Sequence, residues 1–245
     1  MVREEVFSCN GLFHEEPAFV LKDDLEGSAQ ATSVLSLVGQ GVSRPSEMAA
    51  RLQVPQTALS RPLARLTGLG LVAREVPFGV DAKGGKRSLY RLCDPFLRFW
   101  YTFALPHYSD PHFGEEKSDI KSLRHPFRVF LGQAWETLVR DSLQHKALPN
   151  EDFRWSNAAR WWGVGLDGKP MEIDVVAESP DGDALLVGEA KLALSKSEAK
   201  REMSELARKA TMLPFALRYK RVETRLFVAE GGDFDCVDLS WNEER

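Results

Sequence analysis

The spacing of three charged residues within two mostly apolar, strand-like segments restricts the folds open to this chain. Asp174 lies in the segment 171–178, and Glu189 and Lys191 lie in the segment 184–192, which follows after a tight turn. Residues i and i+2 of a strand point to the same face, so Glu189 and Lys191 project together. An antiparallel pairing of the two segments brings Asp174 alongside them. The pattern therefore predicts a sheet in which two carboxylates and a lysine converge.

The two carboxylates of this set need a partner, because unpaired charges inside an apolar sheet are costly. A hard divalent cation meets that need, since Mg²⁺ takes carboxylate oxygens and keeps several waters. We therefore predict Mg²⁺ (or Mn²⁺) bound by Asp174 and Glu189, with the Ala190 carbonyl as a further ligand. Lys191 is predicted to orient or deprotonate the water that attacks phosphorus, while the metal polarises the phosphoryl oxygen. The alternative is a surface ion pair between Glu189 and Lys191 on an exposed strand face.

The first half of the chain has the element order helix, helix, helix, hairpin. Helices are predicted over residues 31–38, 47–52 (with Ser43 as N-cap) and 56–67, and strands over 71–76 and 88–92. Gly39 and Gly41 end the first helix, and the polar loop 79–85 joins the two strands. Two helices joined by a tight turn and followed by a β-hairpin are typical of a winged helix-turn-helix.

Charge is unevenly distributed along the chain. Residues 44–91 carry nine Lys or Arg and three acidic residues, a net +6, whereas the whole chain is −4 and the remainder therefore −10. This asymmetry favours two domains, one of which meets an anionic partner such as DNA. The predicted DNA-binding residues are Gln56, Thr57, Ser60, Arg61 and Arg65 on the third helix, and Lys83, Lys86 and Arg87 on the wing. The alternative is a winged helix that mediates only protein contacts.

The second half of the chain has a mixed α/β pattern. Asp94 caps and Pro95 opens an aromatic helix, predicted to pack in a core or between domains. There follow a helix over 127–143, strands at Trp161 and Trp162 and over 171–178 and 184–192, a helix over 197–212, and strands over 225–229 and 234–239. We predict an α+β or α/β protein with an extension (1–29), a winged helix-turn-helix (30–105), a connector (106–126) and a mixed-sheet domain (127–245).

Composition excludes several other classes of protein. With 43% hydrophobic and 28% charged residues among 245, the chain is neither fibrous nor wholly disordered. It has no apolar run that could span a bilayer and no secretory signal behind its charged start, so a cytoplasmic protein without a membrane partner is predicted. Three distant cysteines make neither a disulfide framework nor a zinc cluster. The five histidines lack metal-ligand spacing, and no Gly-x-Ser-x-Gly elbow indicates serine catalysis.

The order of a strand Asp, a turn and a strand Glu-x-Lys resembles the PD-(D/E)xK nuclease superfamily. The resemblance implies a restriction-endonuclease-like fold, with Asp174 as the Asp of the motif and Glu189 and Lys191 as its Glu-x-Lys. Many members add a Glu on the preceding helix, and Glu136 matches that position. The leading proline of the motif name is absent here. The alternative for Glu136 is an ion pair with Arg140 on a solvated helix face.

A longer resemblance covers nearly the whole chain. It rests on Phe7, on residues 12–13, 15–21, 57–63, 172–176 and 188–191, and most specifically on 90–101 (YRLCDPFLRFWY). The chain is similar to the C-terminal half of a family of archaeal and bacterial AAA+-type ATPases, in which a winged helix precedes a restriction-endonuclease-like domain long labelled as of unknown function. Members carry a P-loop ATPase domain, but this sequence has no Gly-x4-Gly-Lys-[Ser/Thr] motif. The resemblance leaves three alternatives: a fragment of such an ATPase, a split gene product whose P-loop ATPase is supplied in trans, or a stand-alone descendant. Residues 1–29 then match the tail of an ATPase lid.

The sequence thus predicts metal-dependent hydrolysis of DNA phosphodiester bonds, as by a Mg²⁺-dependent endodeoxyribonuclease whose winged helix docks the DNA. The chain by itself is not expected to hydrolyse ATP. Because one site cuts one strand, duplex cleavage favours a homodimer or sequential nicking. Two alternatives stay open: an inactive DNA- or partner-binding module of an ATPase system, and a winged-helix transcription regulator whose α/β domain senses a ligand.

Overall fold

The chain forms two compact units in a computed structural model. The structure describes residues 11, 25, 28–81, 87–108, 110, 113, 117–149 and 151–230. The first unit combines Met1–Glu75 with Gly85–Phe127, and the second combines Val76–Gly84 with Arg128–Arg245. No helix within these described ranges has both the length and the apolar composition of a membrane span.

Among its described residues, the first unit contains three helices followed by a two-stranded hairpin. These are α1 (Ala29–Gly39), α2 (Pro45–Leu52), a 3₁₀ turn (Gln56–Leu59) leading into α3 (Ser60–Gly68), β1 (Val72–Glu75) and β2 (Leu89–Leu92). The strands pair antiparallel, with Val72 opposite Leu92. The helices enclose a core that includes Val34, Leu35, Met48, Leu59 and Leu66. This is the predicted winged-helix order.

Two helices of this unit begin at a proline. The predicted N-cap Ser43 is wrong: α2 begins at Pro45, and Arg44, in an extended conformation, is its N-cap. Proline suits the first helical position because its missing N–H has no intrahelical partner there. Asp94 caps the next helix, as predicted, because its carboxylate accepts the Leu97 N–H at 2.8 Å.

The aromatic segment that follows the hairpin is irregular and largely buried. It comprises α4 (Pro95–Phe99), a π-helical turn (Trp100–Ala104) and a 3₁₀ turn (Leu105–His107). Trp100 and Phe103 are 5% and 2% exposed, which confirms that these aromatics serve packing. A short helix α5 (Lys117–Ser122) precedes the long α6 (Arg124–His145).

A four-stranded mixed sheet forms the centre of the second unit. Its elements are β3 (Ser156–Val164), β4 (Pro170–Glu178), β5 (Ala184–Lys191), α7 (Lys196–Met212), a 3₁₀ turn (Ala216–Arg218) and β6 (Arg221–Val228). The strand order is β3-β4-β5-β6; β6 runs parallel to β5 and the other pairs are antiparallel. The predicted mixed sheet is therefore confirmed, whereas the predicted strand 234–239 lies outside the described residues.

Each face of this sheet is covered by one long helix. Val139 and Leu143 of α6 pack with Trp155, Leu186 and Phe227 on one face. On the other face a second cluster contains residues of α7 and of the strands, among them Leu206, Ala210, Ile173, Val187 and Leu226. Strands buried on both faces need apolar residues at nearly every position, so a charged residue on them stands out.

The loop between β1 and β2 contributes to the second unit. Phe78 is 6% exposed and belongs to the α7-side core, where its ring lies 5.5 Å from that of Phe215. Its backbone N–H donates to the carbonyl of Arg160 on β3 at 2.8 Å. Trp161, whose side chain is buried, also lies in this cluster. Lys83 and Lys86 of the predicted wing lie outside the described residues.

Candidate functional site

Asp174, Glu189 and Lys191 come together where β4 and β5 separate. The ladder between the two strands ends at the pair Val175–Gly188. Beyond it, the carboxylate of Asp174 accepts the backbone N–H of Ala190 at 3.1 Å. The ammonium of Lys191 lies 3.6 Å from Asp174 Oδ2 and 3.0 Å from Glu189 Oε2. The predicted convergence is therefore confirmed, and we call these three residues the carboxylate–lysine cluster.

A β-bulge in β4 lies beside the carboxylate–lysine cluster. Ala159 and Trp161 of β3 pair with Val176 and Ile173 of β4, so two steps along β3 match three steps along β4. The additional residue is Asp174 or Val175. Bulges bend a strand and re-aim side chains, and they are frequent beside active sites. This one interrupts the alternation of β4, because Ile173 and Val176, three residues apart, both pack in the α7-side core.

The cluster is largely shielded from water. The side chain of Glu189 is 7% exposed and that of Asp174 is 15% exposed. Burial raises the pKa of Glu189, and the adjacent carboxylate of Asp174 raises it further. Burial opposes the charged form of Lys191, but the negative charges of Glu189 and Asp174 outweigh it and raise the Lys191 pKa. Two buried carboxylates in contact thus hold a protonated lysine beside them. This excludes the alternative of an ion pair on an exposed strand face.

A second lysine, which the sequence did not point to, completes these contacts. Lys209 of α7 lies with its Nζ 2.6 Å from Glu189 Oε1 and donates to the carbonyl of Glu172 at 3.1 Å. Lys209 carries no motif. Its one sequence signal is its place beside Leu206 and Ala210, which are buried members of the α7 apolar stripe. Only the packing of α7 across β5 brings it to the cluster.

Glu136 lies near the cluster and is linked to it through Arg140. Its Oε2 is 3.8 Å from Nη1 of Arg140, so the ion pair considered above is present. The arginine, however, is 7% exposed and donates to the backbone carbonyl of Asp174 at 2.8 Å, so this helix face is not solvated. Burial raises the pKa of Glu136, while the charges of Arg160 and Arg140 oppose that shift. Arg140 thus joins α6 to the backbone of Asp174, a contact that no motif predicted.

Replacing Glu136 with Gln is expected to raise the free energy of unfolding at pH 7 but not at pH 4. The folded-state pKa of Glu136 lies above its ordinary value of 4.5. The stability that comes from protonation is therefore fully present below that ordinary value and is lost as pH rises through the folded-state pKa. Glutamine copies the protonated form at every pH. Urea unfolding of wild type and variant at the two pH values measures the difference.

Glu205 on α7 provides the matched control, because its pKa is shifted the other way. A hydrogen bond from Arg208 lowers the pKa of Glu205. The stability that the ionised Glu205 contributes is therefore present above its ordinary pKa and is lost as pH falls. Glu205→Gln should therefore slightly lower the free energy of unfolding at pH 7. If Glu136→Gln is no more stable than wild type at pH 7, burial does not dominate the environment of Glu136.

The donor atoms of the cluster fit a hard divalent cation. Asp174 and Glu189 present adjacent carboxylates. The N–H and C=O of one strand residue point to the same side, and the Ala190 N–H points to Asp174. Its carbonyl therefore also faces the gap beside β4, whereas the next carbonyl, of Lys191, accepts the Ala229 N–H on the β6 side. Two carboxylates and one carbonyl suit Mg²⁺, which keeps several waters.

Within the described ranges, no group of three or more His, Cys, Asp or Glu side chains is placed to hold a metal.

The predicted DNA-binding residues of the first unit share one exposed surface. Gln56, Thr57, Ser60, Arg61 and Arg65 are all exposed, and we call them the α3 face. Leu59, Leu63 and Leu66 on the other side of the same segment are buried. Arg87 at the end of the hairpin loop is exposed as well.

Comparison with known proteins gives limited matches. Residues 100–203 match a family described as archaeal and bacterial proteins of unknown function, DUF234. The match covers less than half of the 245-residue chain and agrees with the unknown-function part of the resemblance above; the nuclease and ATPase parts stay predictions. No curated protein matches the chain significantly.

Three solved structures are similar over about half of the chain. The reduced form of MarR from E. coli is 21% identical to this chain, with a TM-score of 0.27. The matched region covers 52% of this chain and 98% of the MarR chain. The zinc-dependent MarR-family regulator AdcR in its Zn(II)-bound state has 19% identity, 50% and 97% coverage and a TM-score of 0.22. The transcriptional regulator SlyA has 16% identity, 52% and 98% coverage and a TM-score of 0.24. Scores this low carry no structural argument, so the winged helix rests on the geometry of α1–β2 itself.

Proposed function

We propose that the first unit binds DNA through the α3 face. The segment buries its apolar side and presents amide, hydroxyl and guanidinium groups outward. These are the groups that bind base edges and phosphates in a major groove. Residues 44–91, which contain the α3 face, are net +6, and such a charge favours association with a polyanion.

Replacing Arg61 with Ala is expected to weaken DNA binding and to reduce its salt dependence. If Arg61 contacts one phosphate, the slope of log K against log salt should fall by about 0.9. Fluorescence anisotropy with a labelled duplex at several salt concentrations measures this slope. Lys220→Ala is the control, because this exposed lysine of the second unit pairs with Asp183 at 2.6 Å. Equal slopes for wild type and Arg61→Ala would place DNA binding elsewhere.

We further propose that the second unit hydrolyses DNA phosphodiester bonds with Mg²⁺. The observation that carries this proposal is the convergence of Asp174, Glu189 and Lys191 where two strands separate. Asp174, Glu189 and the Ala190 carbonyl would hold the cation, which when bound polarises the phosphoryl oxygen and stabilises developing negative charge. The resemblance to PD-(D/E)xK nucleases supports the same assignment.

Lys191 of the cluster and two residues of α6 have distinct tasks in this proposal. Lys191 is an ammonium at neutral pH, because the neighbouring carboxylates raise its pKa. In this proposal it orients the attacking water through a hydrogen bond. Glu136, on α6, accepts hydrogen bonds from waters at the edge of the site. Arg140 holds the backbone of Asp174 in place through its 2.8 Å hydrogen bond.

The test is incubation of the purified protein with supercoiled, linear, single-stranded and branched DNA. We expect cleavage of at least one substrate in Mg²⁺ or Mn²⁺ and none in EDTA. Duplex cleavage would need a homodimer or sequential nicking, since one site cuts one strand. If no substrate is cut while DNA is still bound, the hydrolysis proposal fails and DNA binding stands alone.

A second candidate is a DNA-binding regulator or partner-docking module without catalysis. It is favoured by the charge balance of the site, because Lys191 and Lys209 already match the charges of Asp174 and Glu189. This candidate predicts a dimer with sequence-specific, salt-sensitive DNA binding that Asp174→Ala leaves unchanged. That prediction belongs to the regulator. The partner-docking module would instead act with a P-loop ATPase in trans, and it would appear as ATP-dependent DNA binding when such a partner is added.

A further inference from the structure

Each carboxylate oxygen of Glu189 contacts a different lysine. Lys191, two residues along β5, lies 3.0 Å from Oε2, and Lys209, on α7, lies 2.6 Å from Oε1. Lys209 Nζ also donates to the carbonyl of Glu172 at 3.1 Å, so two acceptors fix its position. Its side chain is 22% exposed, which limits screening of this charge by water.

These contacts leave the site balanced without a metal. Asp174 and Glu189 carry two negative charges, and Lys191 and Lys209 carry two positive charges. A divalent cation that binds Glu189 through Oε1, or through both oxygens, competes with the ammonium of Lys209. We propose that Lys209 is a positioning residue that holds Glu189 in the metal-free protein and leaves Oε1 when the cation binds, and thereby lowers the affinity for the metal. This inference rests on the proposed metal-dependent hydrolysis.

Two effects of Lys209 on metal affinity oppose each other. Loss of a residue that orients a metal ligand typically weakens metal binding 10–100-fold. The repulsion between a dication and an ammonium about 4 Å apart corresponds to much more than a hundredfold, even at an effective dielectric constant of about 20. Movement of the lysine away from Oε1 relieves part of that repulsion. The competition therefore outweighs the orienting role, and removal of the charge should strengthen metal binding about tenfold.

The experiment is a calorimetric titration of the 245-residue chain with Mn²⁺. Lys209→Met should bind Mn²⁺ about tenfold more tightly than wild type, and Lys209→Gln, which keeps a hydrogen-bond donor without the charge, should do the same. Lys209→Arg keeps the charge and should bind no more tightly than wild type. Lys200→Met is the matched control, because this lysine lies on the same helix and is exposed. Thermal unfolding shows that each variant is folded, and Lys209→Gln decides the question if Lys209→Met is not.

The outcomes separate this inference from the proposed function. If wild type binds Mn²⁺ and the neutral Lys209 variants bind it equally or more weakly, Lys209 does not compete with the metal and the inference alone is overturned. If neither wild type nor any Lys209 variant binds Mn²⁺, both the inference and the metal-dependent hydrolysis are wrong. Equal strengthening by Lys200→Met would show a general effect of net charge and would also overturn the inference.

Discussion

Replacing Asp174 with Asn is expected to lower the rate of Mg²⁺-dependent DNA cleavage by about 10³-fold. A catalytic metal stabilises the transition state by several kcal/mol, and each 1.36 kcal/mol is a factor of ten in rate. The neutral amide is a poor ligand for a hard dication, whereas the carboxylate has a full charge. Cleavage of the preferred substrate under single-turnover conditions measures the change.

The same substitution should leave the fold intact. Asp174 accepts the Ala190 N–H at 3.1 Å through one oxygen, and the amide oxygen of Asn can accept that hydrogen bond. DNA binding by the α3 face should therefore be unchanged. Asp141→Asn, at an exposed position on α6, is the matched control and should cleave like wild type. A variant that retains more than about a tenth of wild-type activity would remove Asp174 from the catalytic site.

Replacing Gly188 with Ala is expected to lower the free energy of unfolding by about 2 kcal/mol. A Cβ at this position would lie 2.7 Å from Cε2 of Phe227 and 3.2 Å from Cβ of Val175. Both neighbours are fully buried in the α6-side core, so neither side chain can move into solvent. Urea unfolding followed by circular dichroism measures the loss of stability.

Gly188 also adjoins the site, so its replacement should affect more than stability. It forms the last pair of the β4–β5 ladder with Val175 and precedes Glu189. Strain at this pair should shift Glu189 and weaken Mn²⁺ binding. Gly132→Ala on α6 is the matched control: a Cβ there meets nothing within 4 Å, and alanine in a helix is favoured over glycine by about 1 kcal/mol. If the two substitutions change the free energy of unfolding in the same direction, Gly188 is not tightly packed against Phe227 and Val175.

Local patterns predicted most of the elements and the core of the candidate site. The i, i+2 spacing of Glu189 and Lys191 and the short turn before β5 were enough to predict their contact and the approach of Asp174. The boundaries of β5 and α7 differ from the predicted ranges by one residue at one end. The error at Ser43 was also local, because two signals, a capping serine and a helix-opening proline, competed and the proline prevailed.

Contacts between residues far apart in the sequence were not predictable in this way. The parallel pairing of β5 with β6 depends on how α7 crosses the sheet, and no turn signal encodes it. The position of Phe78 in the second core depends on the same crossing, because Phe215 follows α7. Arg140 and Phe78 lie on charged or loop segments whose composition suggests solvent exposure.

The sequence by itself determined which residues lie on the strands, which of them share a face, and which side of the α3 segment is polar. Those properties follow from the side-chain periodicity of two residues in strands and 3.6 residues in helices, and this periodicity can be read from the order of apolar and polar residues. Only the tertiary structure decided that a bulge interrupts β4 beside Asp174, and that Lys209 occupies the second oxygen of the Glu189 carboxylate. Both depend on the register of one element against another, and register is set by packing across the whole sheet.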